Sequence, residues 1–357
     1  MNIEIKPLDT LFFKDGKPFS MGEETWAEAI FPPHPSTIYG GLRAVWFNQN
    51  IKEFENLKEN KKLNTEQDPT TKLKIKNILL KKGNDFLFPV PRDILQNKKQ
   101  EMDRLELSQK EYLTSAGNIN LLISFKNEVY SYINSWITLS DLARYLKNKV
   151  KFVSNPIETG EFLKNEAKIG IARNRISKSS DEGKLYRVNM LRFKEEIKIY
   201  VDFEGIDINK DFFKLGGEGK FVMISEIEEK TDIPMPEITD NKFLVYFSTP
   251  AIFKNGWLPQ WIDEVNLQGT IPNTLVKVKL ITASIGKPRF IGGFDMAKRK
   301  PKPMFKAVPE GSVYYFEILS GNKNELKKIH GKAISEIYAE QGFGICYLGK
   351  YKENKEC

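Results

Sequence analysis

The chain has 357 residues, which is too many for one small core and fits two domains of ordinary size. Hydrophobic residues make up 40% and charged residues 29%, and these values exclude a wholly disordered chain and a fibrous repeat. The net charge of +8 at pH 7 favours an anionic partner such as RNA, although a Lys- and Asn-rich composition makes charge alone a modest argument.

The chain opens with a predicted strand followed by a predicted helix. Alternating apolar and polar residues indicate a strand over 2–13. From Ile38 to Trp46 the apolar residues recur with helical spacing, and Ser36 and Thr37 are the predicted N-caps.

Two polar stretches interrupt the first half of the chain. Residues 48–84 are rich in Lys, Asn and Glu, which predicts a helical or partly mobile insertion, and 96–128 form a second insertion. Residues 169–193 then place apolar residues and arginines on both sides of a turn-rich centre at 177–183, which predicts a long hairpin with a basic tip.

A proline-containing stretch divides the chain into two predicted domains. A strand is expected over 197–203 and another opens at Phe221, after which 231–240 reads as a linker. We therefore expect domains at 1–238 and 239–357.

The second domain is predicted to contain more strands than helices. A helix is expected over 332–341, and the class is α+β. The expected strands are 243–247, 276–283, 290–296, 312–319 and 344–348.

Cysteine content and the first residues bear on the cellular compartment. Cys346 and Cys357 are the two cysteines, so neither a disulfide framework nor a cysteine metal site is expected. The first ten residues lack the pattern of a secretory signal, and no apolar run reaches membrane-spanning length. We expect a cytoplasmic protein with no membrane contact.

Four of the ten arginines fall within one stretch of twenty residues, inside the predicted hairpin. Arg173 and Arg175 are the stronger candidates for RNA contact. For Arg187 and Arg192, RNA contact and ordinary surface charge are both open. The planar guanidinium suits both phosphate binding and base stacking.

Gly342-Phe343-Gly344 lies between the predicted last helix and the last strand. Glycines let another backbone approach closely, so exposed amides here could hold an RNA phosphate. The alternative is a tight packing turn.

Two further basic candidates have equally plain alternatives. Lys298, Arg299 and Lys300 belong to a run with four cations in five residues, which suits phosphate or an acidic partner protein. Ser36 with Arg43 could bind a phosphate at the start of the first helix, or Ser36 could simply cap it.

Catalytic and metal motifs are weak. His34 and His330 are the only histidines and belong to different predicted domains, so surface or capping roles are favoured over acid–base chemistry. Asp202, Glu204 and Asp207 fit a solvated strand edge better than a metal site. Neither a phosphate-binding loop of nucleotide hydrolases nor a dinucleotide-binding glycine motif is present, and no cofactor is expected.

Seven ordered motifs resemble those of a known family, the Cmr subunit that binds the 5′ handle of CRISPR RNA (crRNA) in type III-B effector complexes, within the repeat-associated mysterious protein (RAMP) superfamily. The resemblance covers most of the chain outside the two insertions. The motifs are LDTLFFKDGKPF (8–19), FPPHPSTIYGGLRA (31–44), LGGEGK (215–220), TPAIFKNGWLP (249–259), FIGGFDMAKRKPKP (290–303), VPEGSVYYFE (308–317) and EQGFGICYLG (340–349).

The resemblance implies two tandem ferredoxin-like, RRM-related domains with insertions, a projecting hairpin and a C-terminal glycine-rich loop. It also implies a non-catalytic subunit that binds the crRNA 5′ handle and contacts the large polymerase-like subunit and the first backbone subunit, with no homo-oligomer expected. Lys220 stands where this glycine motif more often continues with Arg, which keeps the charge and loses the bidentate fork.

Two rival hypotheses remain open at this point. One is a RAMP endoribonuclease that processes precursor CRISPR RNA with His34 or His330 as general acid or base. The other is a purely structural bridge whose basic patches meet acidic partner surfaces.

Overall fold

The structure is a computed structural model that describes residues 1–14, 26–59, 68–98, 102–114, 117–124, 128–148, 156–173, 180–295 and 300–351. In this part of the chain strands dominate over helices, in keeping with the expected mixed class. The helices are α1 (Pro35–Gln49), α2 (Ile51–Glu59), α3 (Leu139–Leu146) and α4 (Thr159–Phe162), with short 3-10 helices at Pro69–Lys72, Lys323–Lys328 and Ala339–Gln341.

The strands fall into two groups along the chain. The first group is β1 (Asn2–Pro7), β2 (Trp26–Glu28), β3 (Lys74–Lys82), β4 (Asp85–Pro89), β5 (Ile94–Asn97), β6 (Met102–Arg104), β7 (Glu106–Thr114), β8 (Gly117–Ile123), β9 (Val129–Ser131), β10 (Ser135–Thr138), β11 (Ile157–Glu158), β12 (Leu163–Arg173), β13 (Ser180–Phe193), β14 (Ile197–Glu204), β15 (Phe212–Lys214) and β16 (Phe221–Glu226). The second group is β17 (Lys242–Phe247), β18 (Gln268–Thr270), β19 (Lys277–Ser284), β20 (Arg289–Ile291), β21 (Phe294–Asp295), β22 (Lys300–Pro301), β23 (Phe305–Ala307), β24 (Val313–Ser320), β25 (Lys332–Ala333) and β26 (Ile345–Lys350).

The chain divides into two compact units, each made of three separate segments. The first unit is Met1–Ile75, Gly160–Glu228 and Phe290–Phe305, and the second is Lys76–Thr159, Glu229–Arg289 and Lys306–Cys357. The predicted boundary at residue 238 lies inside the second unit, so these units differ from the domains expected from sequence. The assignment of 1–238 and 239–357 to two ferredoxin-like repeats stays a prediction.

The first unit contains an antiparallel sheet in the order β14-β1-β16-β15, with α1 on one face. Gly41 lets the helix approach β15, because a Cβ at this position would lie 2.7 Å from the ring of Phe213. Ile38, Leu42 and Val45 are buried, as the helical spacing predicts. A separate antiparallel hairpin, β12–β13, pairs through β13 with β2 in parallel.

The second unit is built on an antiparallel sheet in the order β18-β19-β24-β17-β26-β25. Its core includes Phe243 and Phe316, whose rings stack with centroids 5.7 Å apart. The same unit holds the row β11-β10-β4-β3 and the exposed hairpin β7–β8. Thr138 caps α3 by accepting a hydrogen bond from the amide of Asp141.

Several predicted elements are confirmed. The hairpin expected over 169–193 is β12–β13, and its central residues 174–179 lie outside the described ranges. Strand predictions over 197–203, 243–247, 276–283, 312–319 and 344–348 match β14, β17, β19, β24 and β26 to within one or two residues.

The helix predicted over 332–341 is wrong. The backbone amides of Ile334 and Glu336 donate to Gly344 and Ile252 instead of to carbonyls four residues earlier. Tyr338 adopts φ +61°, which a helix excludes. Long-range pairing therefore replaces the helix with β25 and a single 3-10 turn.

Two other local expectations are corrected. The N-cap of α1 is His34 rather than Ser36 or Thr37, because Pro35 fits the first helical position and starts the helix earlier. Residues 231–240 lack regular structure as expected of a linker, but Ile233 and Ile238 are buried in the second unit.

Among the described residues, no helix has the length and apolar character needed to cross a membrane.

Candidate nucleic-acid interface

The hairpin β12–β13 is exposed along much of its first strand. Every residue from Lys164 to Ile169 is exposed, and Arg187 is exposed opposite Ile169. Arg173 ends β12 with its backbone paired to Ser180. Arg175 lies outside the described residues. The ribbon therefore presents cations on a regular backbone with little covering it.

An ion network fastens the base of this hairpin. Arg192 donates two hydrogen bonds to Glu166, from Nε to Oε2 at 2.5 Å and from Nη2 to Oε1 at 3.0 Å. Its Nη2 also donates to Asp9 Oδ1 at 3.2 Å. Lys220 Nζ donates to Asp9 Oδ2 at 2.5 Å, and chiefly this bond lowers the pKa of Asp9 to about 2. The guanidinium of Arg192 is thus engaged by two carboxylates of the chain itself, which favours a structural role over direct RNA contact.

The glycine motif at 215–220 lies against the base of the hairpin. A Cβ on Gly216, which has φ +76°, would lie 2.4 Å from the carbonyl oxygen of Phe12. The amide of Gly217 donates to the same oxygen at 2.8 Å, and Glu218 pairs with Lys168 at 3.5 Å. Two of the seven motifs, at 8–19 and 215–220, therefore come together with the hairpin in the first unit.

The Gly342-Phe343-Gly344 stretch is packed inside the second unit. The amide of Gly342 donates to Ala339 at 3.0 Å and that of Gly344 donates to Pro250 at 2.7 Å. Phe343 is 0% exposed. Because two of the amides already have acceptors and the ring is in the core, the geometry favours the packing turn over the phosphate cradle.

The start of α1 is also tied to the chain itself. Arg43 donates from Nε to Thr70 Oγ1 at 2.6 Å and forms an ion pair with Asp68. Its guanidinium also lies 5.8 Å from the ring centroid of Tyr39. Ser36 is half-buried in the first turn. These contacts give Arg43 a role in holding the 3-10 helix at 69–72 to α1.

The basic run after β21 is described only in part. Lys300 is exposed on β22 opposite Asp295, and the amide of Lys302 donates to Gly293 at 2.9 Å. Lys298 and Arg299 lie outside the described residues. Lys300 therefore stays a prediction as an RNA contact.

The two histidines lie in different compact units, and each is enclosed by the chain. His34 is 6% exposed at the start of α1. In His330, Nε2 bonds the carbonyl of Ile233 at 2.7 Å and Nδ1 accepts from the amide of Leu348 at 3.0 Å. Both ring nitrogens of His330 are therefore engaged with backbone, which leaves no nitrogen for a scissile phosphate.

His330 gives a pH dependence that can be measured. Burial lowers its pKa in the folded protein, so below about pH 6.5 the unfolded chain binds more protons and stability falls as the pH falls, by at most about 1.4 kcal/mol per pH unit. Above the unfolded pKa the contribution is fully present. Urea unfolding across this range should give a His330→Gln variant with a shallower acid slope than the parent chain. Equal slopes would contradict the assignment.

Within the described ranges, no group of three or more His, Cys, Asp or Glu side chains is placed to hold a metal ion.

Sequence reasoning also did not find the exposed rings of Phe212 and Phe221, although the alternation of Phe212, Phe213 and Lys214 was a usable signal.

Comparison with known proteins supplies the family. The family model described as CRISPR-associated protein (Cas_Cmr3) matches residues 3–351. A curated relative, the CRISPR system CMR subunit Cmr3 of Saccharolobus solfataricus, is 24% identical over 340 residues that cover 90% of this chain and 88% of the relative.

Solved structures show the same fold. A chain of the type III-B Cmr-beta assembly bound to cognate target RNA matches with a TM-score of 0.54 and 18% identity, covering 88% of this chain and 86% of that chain. A structure of Cmr-beta bound to cognate target RNA and AMPPnP, in state 1, matches with a TM-score of 0.51 and 18% identity over the same shares of each chain.

Proposed function

Because this chain belongs to the CRISPR-associated Cas_Cmr3 family, we propose that it is a non-catalytic subunit of a type III-B Cmr complex. In this proposal it binds the 5′ handle of crRNA. It also bridges the large polymerase-like subunit to the first backbone subunit in antiviral defence.

The observation that carries the proposal is the exposed hairpin β12–β13. Lys164, Lys168 and Arg187 extend from a paired ribbon whose backbone is already ordered, so binding an RNA backbone would cost little additional conformational entropy. Lys168 would exchange its exposed ion pair with Glu218, at 3.5 Å, for a phosphate. Such cations neutralise phosphates without reading sequence, and they fix the RNA in position. Arg173, whose backbone ends β12, and Arg175 are proposed to continue this contact.

The base of the hairpin supports the same function. Glu166, Arg192 and Asp9 form a network that joins β12, β13 and the segment after β1. An anchor of this kind gives the ribbon a defined direction, which suits a subunit that must hold one end of a guide in a single register. The Gly342–Gly344 stretch is proposed to shape the fold of the second unit and not to contact RNA.

The rival endoribonuclease hypothesis has weaker support. Its general acid or base would be His34, which is 6% exposed, or His330, whose two nitrogens bond to backbone. A catalytic group must come within hydrogen-bond reach of the substrate. The enclosed geometry of both residues therefore favours a binding role for this chain.

Photo-crosslinking tests the proposal directly. The tagged chain would be co-expressed with its neighbouring Cmr subunits and a CRISPR array, and crosslinked peptides and nucleotides would be mapped. We expect peptides from residues 163–193 joined to a common 5′ end of the RNA. RNA crosslinked only to other subunits would withdraw the proposed contacts and favour the structural bridge.

A charge variant of the hairpin gives the quantitative prediction. Replacing Lys164, Lys168 and Arg187 with Gln should weaken RNA binding and lower the slope of log affinity against log salt by about 2, since each single-strand phosphate contact contributes about 0.7. The measurement is fluorescence anisotropy with a labelled guide RNA over a salt series.

The matched control removes the same charge elsewhere. Lys210, Lys230 and Lys327 are exposed and lie outside the hairpin. Their triple Gln variant should keep a slope within about one contact of the parent protein. Equal losses in the two variants would contradict a specific role for the hairpin.

A further inference from the structure

The strands β15 and β16 present one covered face and one open face. Phe213 pairs with Val222, and these side chains are 5% and 0% exposed on the α1 side of the sheet. Lys214 pairs with Phe221, so both project from the opposite face. Phe212, opposite Met223, joins them there.

This open face carries large apolar rings in solvent. Phe212 is 51% exposed and Phe221 is 46% exposed, while Met223 between them is half-buried. Leu8, whose amide donates to the Phe221 carbonyl at 3.4 Å, is 54% exposed at the edge of the patch. Exposed aromatic rings at diagonal positions of one strand pair indicate a binding surface more strongly than scattered apolar residues do.

The patch is bordered by cations. Lys214 Nζ lies 5.5 Å from the ring centroid of Phe221. Lys6, on β1, is the strand-pairing partner of Met223 on β16. Within the described part of the chain, neither lysine has an ion-pair partner. The nearby carboxylates of Asp9 and Glu218 are already matched by Lys220 and Lys168.

We propose that the open face of β15–β16 is a stacking platform for an unpaired base of single-stranded RNA. The inference rests on the proposed function and adds a specific ligand contact to it. The base stacks on Phe221, with Phe212 as its neighbour, and the ammonium groups of Lys214 and Lys6 bind the adjoining phosphates.

The charges favour RNA over an apolar segment of a partner protein. An apolar segment laid on these rings would desolvate two ammonium groups without offering them a counter-charge, and that desolvation is costly. Single-stranded RNA supplies a flat π-face for the ring and an anion for the lysines at the same time. Because residues directly opposite on paired strands hold their Cβ atoms about 5 Å apart, Lys214 and Phe221 can engage one nucleotide together.

The test uses the full chain, alone and in the complex with its neighbouring Cmr subunits, with a fluorescein-labelled guide RNA as the probe. Phe221→Leu keeps an apolar side chain and removes the ring. We expect it to bind about five- to a hundredfold more weakly at every salt concentration with an unchanged salt slope. Lys214→Gln should instead lower the slope by about 0.7.

Tyr112→Leu is the matched control, since that ring is 48% exposed on the hairpin β7–β8 of the other unit. It should bind RNA as the parent chain does. Crosslinking of 4-thiouridine-containing guide RNA to the unsubstituted complex gives a readout that does not depend on how a variant folds. We expect a crosslinked peptide from residues 212–226.

The outcomes separate this inference from the proposed function. If the parent complex binds RNA and crosslinks elsewhere, or Phe221→Leu binds normally, the stacking platform is overturned and the subunit role stands. If Phe221→Leu loses its neighbouring subunits at unchanged RNA affinity, the face is a protein interface and the inference is overturned. If this chain makes no RNA contact in the parent complex, both the proposed RNA role and the platform are overturned.

Discussion

Replacing Asp93 with Ala is expected to lower the free energy of unfolding by about 3–5 kcal/mol, because it leaves Arg104 as a buried charge without its partner. Asp93 is 0% exposed in the second unit. Its carboxylate accepts from Arg104 Nε at 2.9 Å and from the hydroxyl of Tyr145 at 2.8 Å, and it also bonds the hydroxyl of Tyr315. These contacts join β6, β24 and α3 to the turn before β5 at one carboxylate.

The tyrosines in this network act as neutral donors. Burial raises the pKa of Tyr145 and of Tyr315 well above the ordinary value, so each hydroxyl keeps its proton near neutral pH. A neutral hydroxyl without its acceptor is costly when buried, and Asp93→Ala leaves two such groups in addition to the guanidinium of Arg104.

Urea unfolding of the full chain measures this effect. Asp85→Ala, which removes an exposed carboxylate from β4 of the same unit, is the control and should change stability by no more than about 0.5 kcal/mol. An Asp93→Leu, Arg104→Met double variant removes both charges and should recover part of the loss. The assignment of a shared network fails if Asp93→Ala is no less stable than Asp85→Ala.

Local sequence patterns predicted the elements whose contacts are local or strictly periodic. The spacing from Ile38 to Val45 predicted α1, and the turn-rich centre of 169–193 predicted the hairpin β12–β13. The central strands β17, β19 and β24 of the second unit were also expected from the sequence. In each case the burial pattern follows from residues close together in the chain.

Several candidate site residues have partners far away in the chain that no local motif reveals. Arg43 is engaged by Asp68, and Arg192 by Asp9, which is 183 residues away. Nothing in a local motif distinguishes a guanidinium held by a distant carboxylate from one that faces solvent. The compact units also differ from the domains expected from sequence, and each unit draws on three separate segments.

Gly344→Ala is the second substitution with a large expected effect. Gly344 adopts φ +74°, a conformation that costs a residue with a Cβ about 1–2 kcal/mol. A Cβ there would also lie 2.6 Å from the backbone nitrogen of Ser335, which pairing along β25 and the following turn holds in place. We therefore expect a total loss of about 3 kcal/mol or more in the free energy of unfolding.

Gly331→Ala separates the two causes, because the glycines share a backbone conformation but not their surroundings. Gly331 has φ +67°, and the nearest atom to an added Cβ is a ring atom of Tyr347 at 3.8 Å. Its loss should be limited to the conformational cost of about 1–2 kcal/mol. Equal losses in the two variants would mean that the close approach of Ser335 does not contribute.

RNA binding by the same variants distinguishes a packing turn from a phosphate cradle. In a packing turn, Gly344→Ala reduces the folded fraction, and the molecules that remain folded bind guide RNA with the parent affinity. In a cradle, the folded molecules themselves lose affinity because the added Cβ displaces the amides that hold the phosphate. The bonds from Gly342 to Ala339 and from Gly344 to Pro250 lead us to expect the first result, with guide binding retained by the basic hairpin.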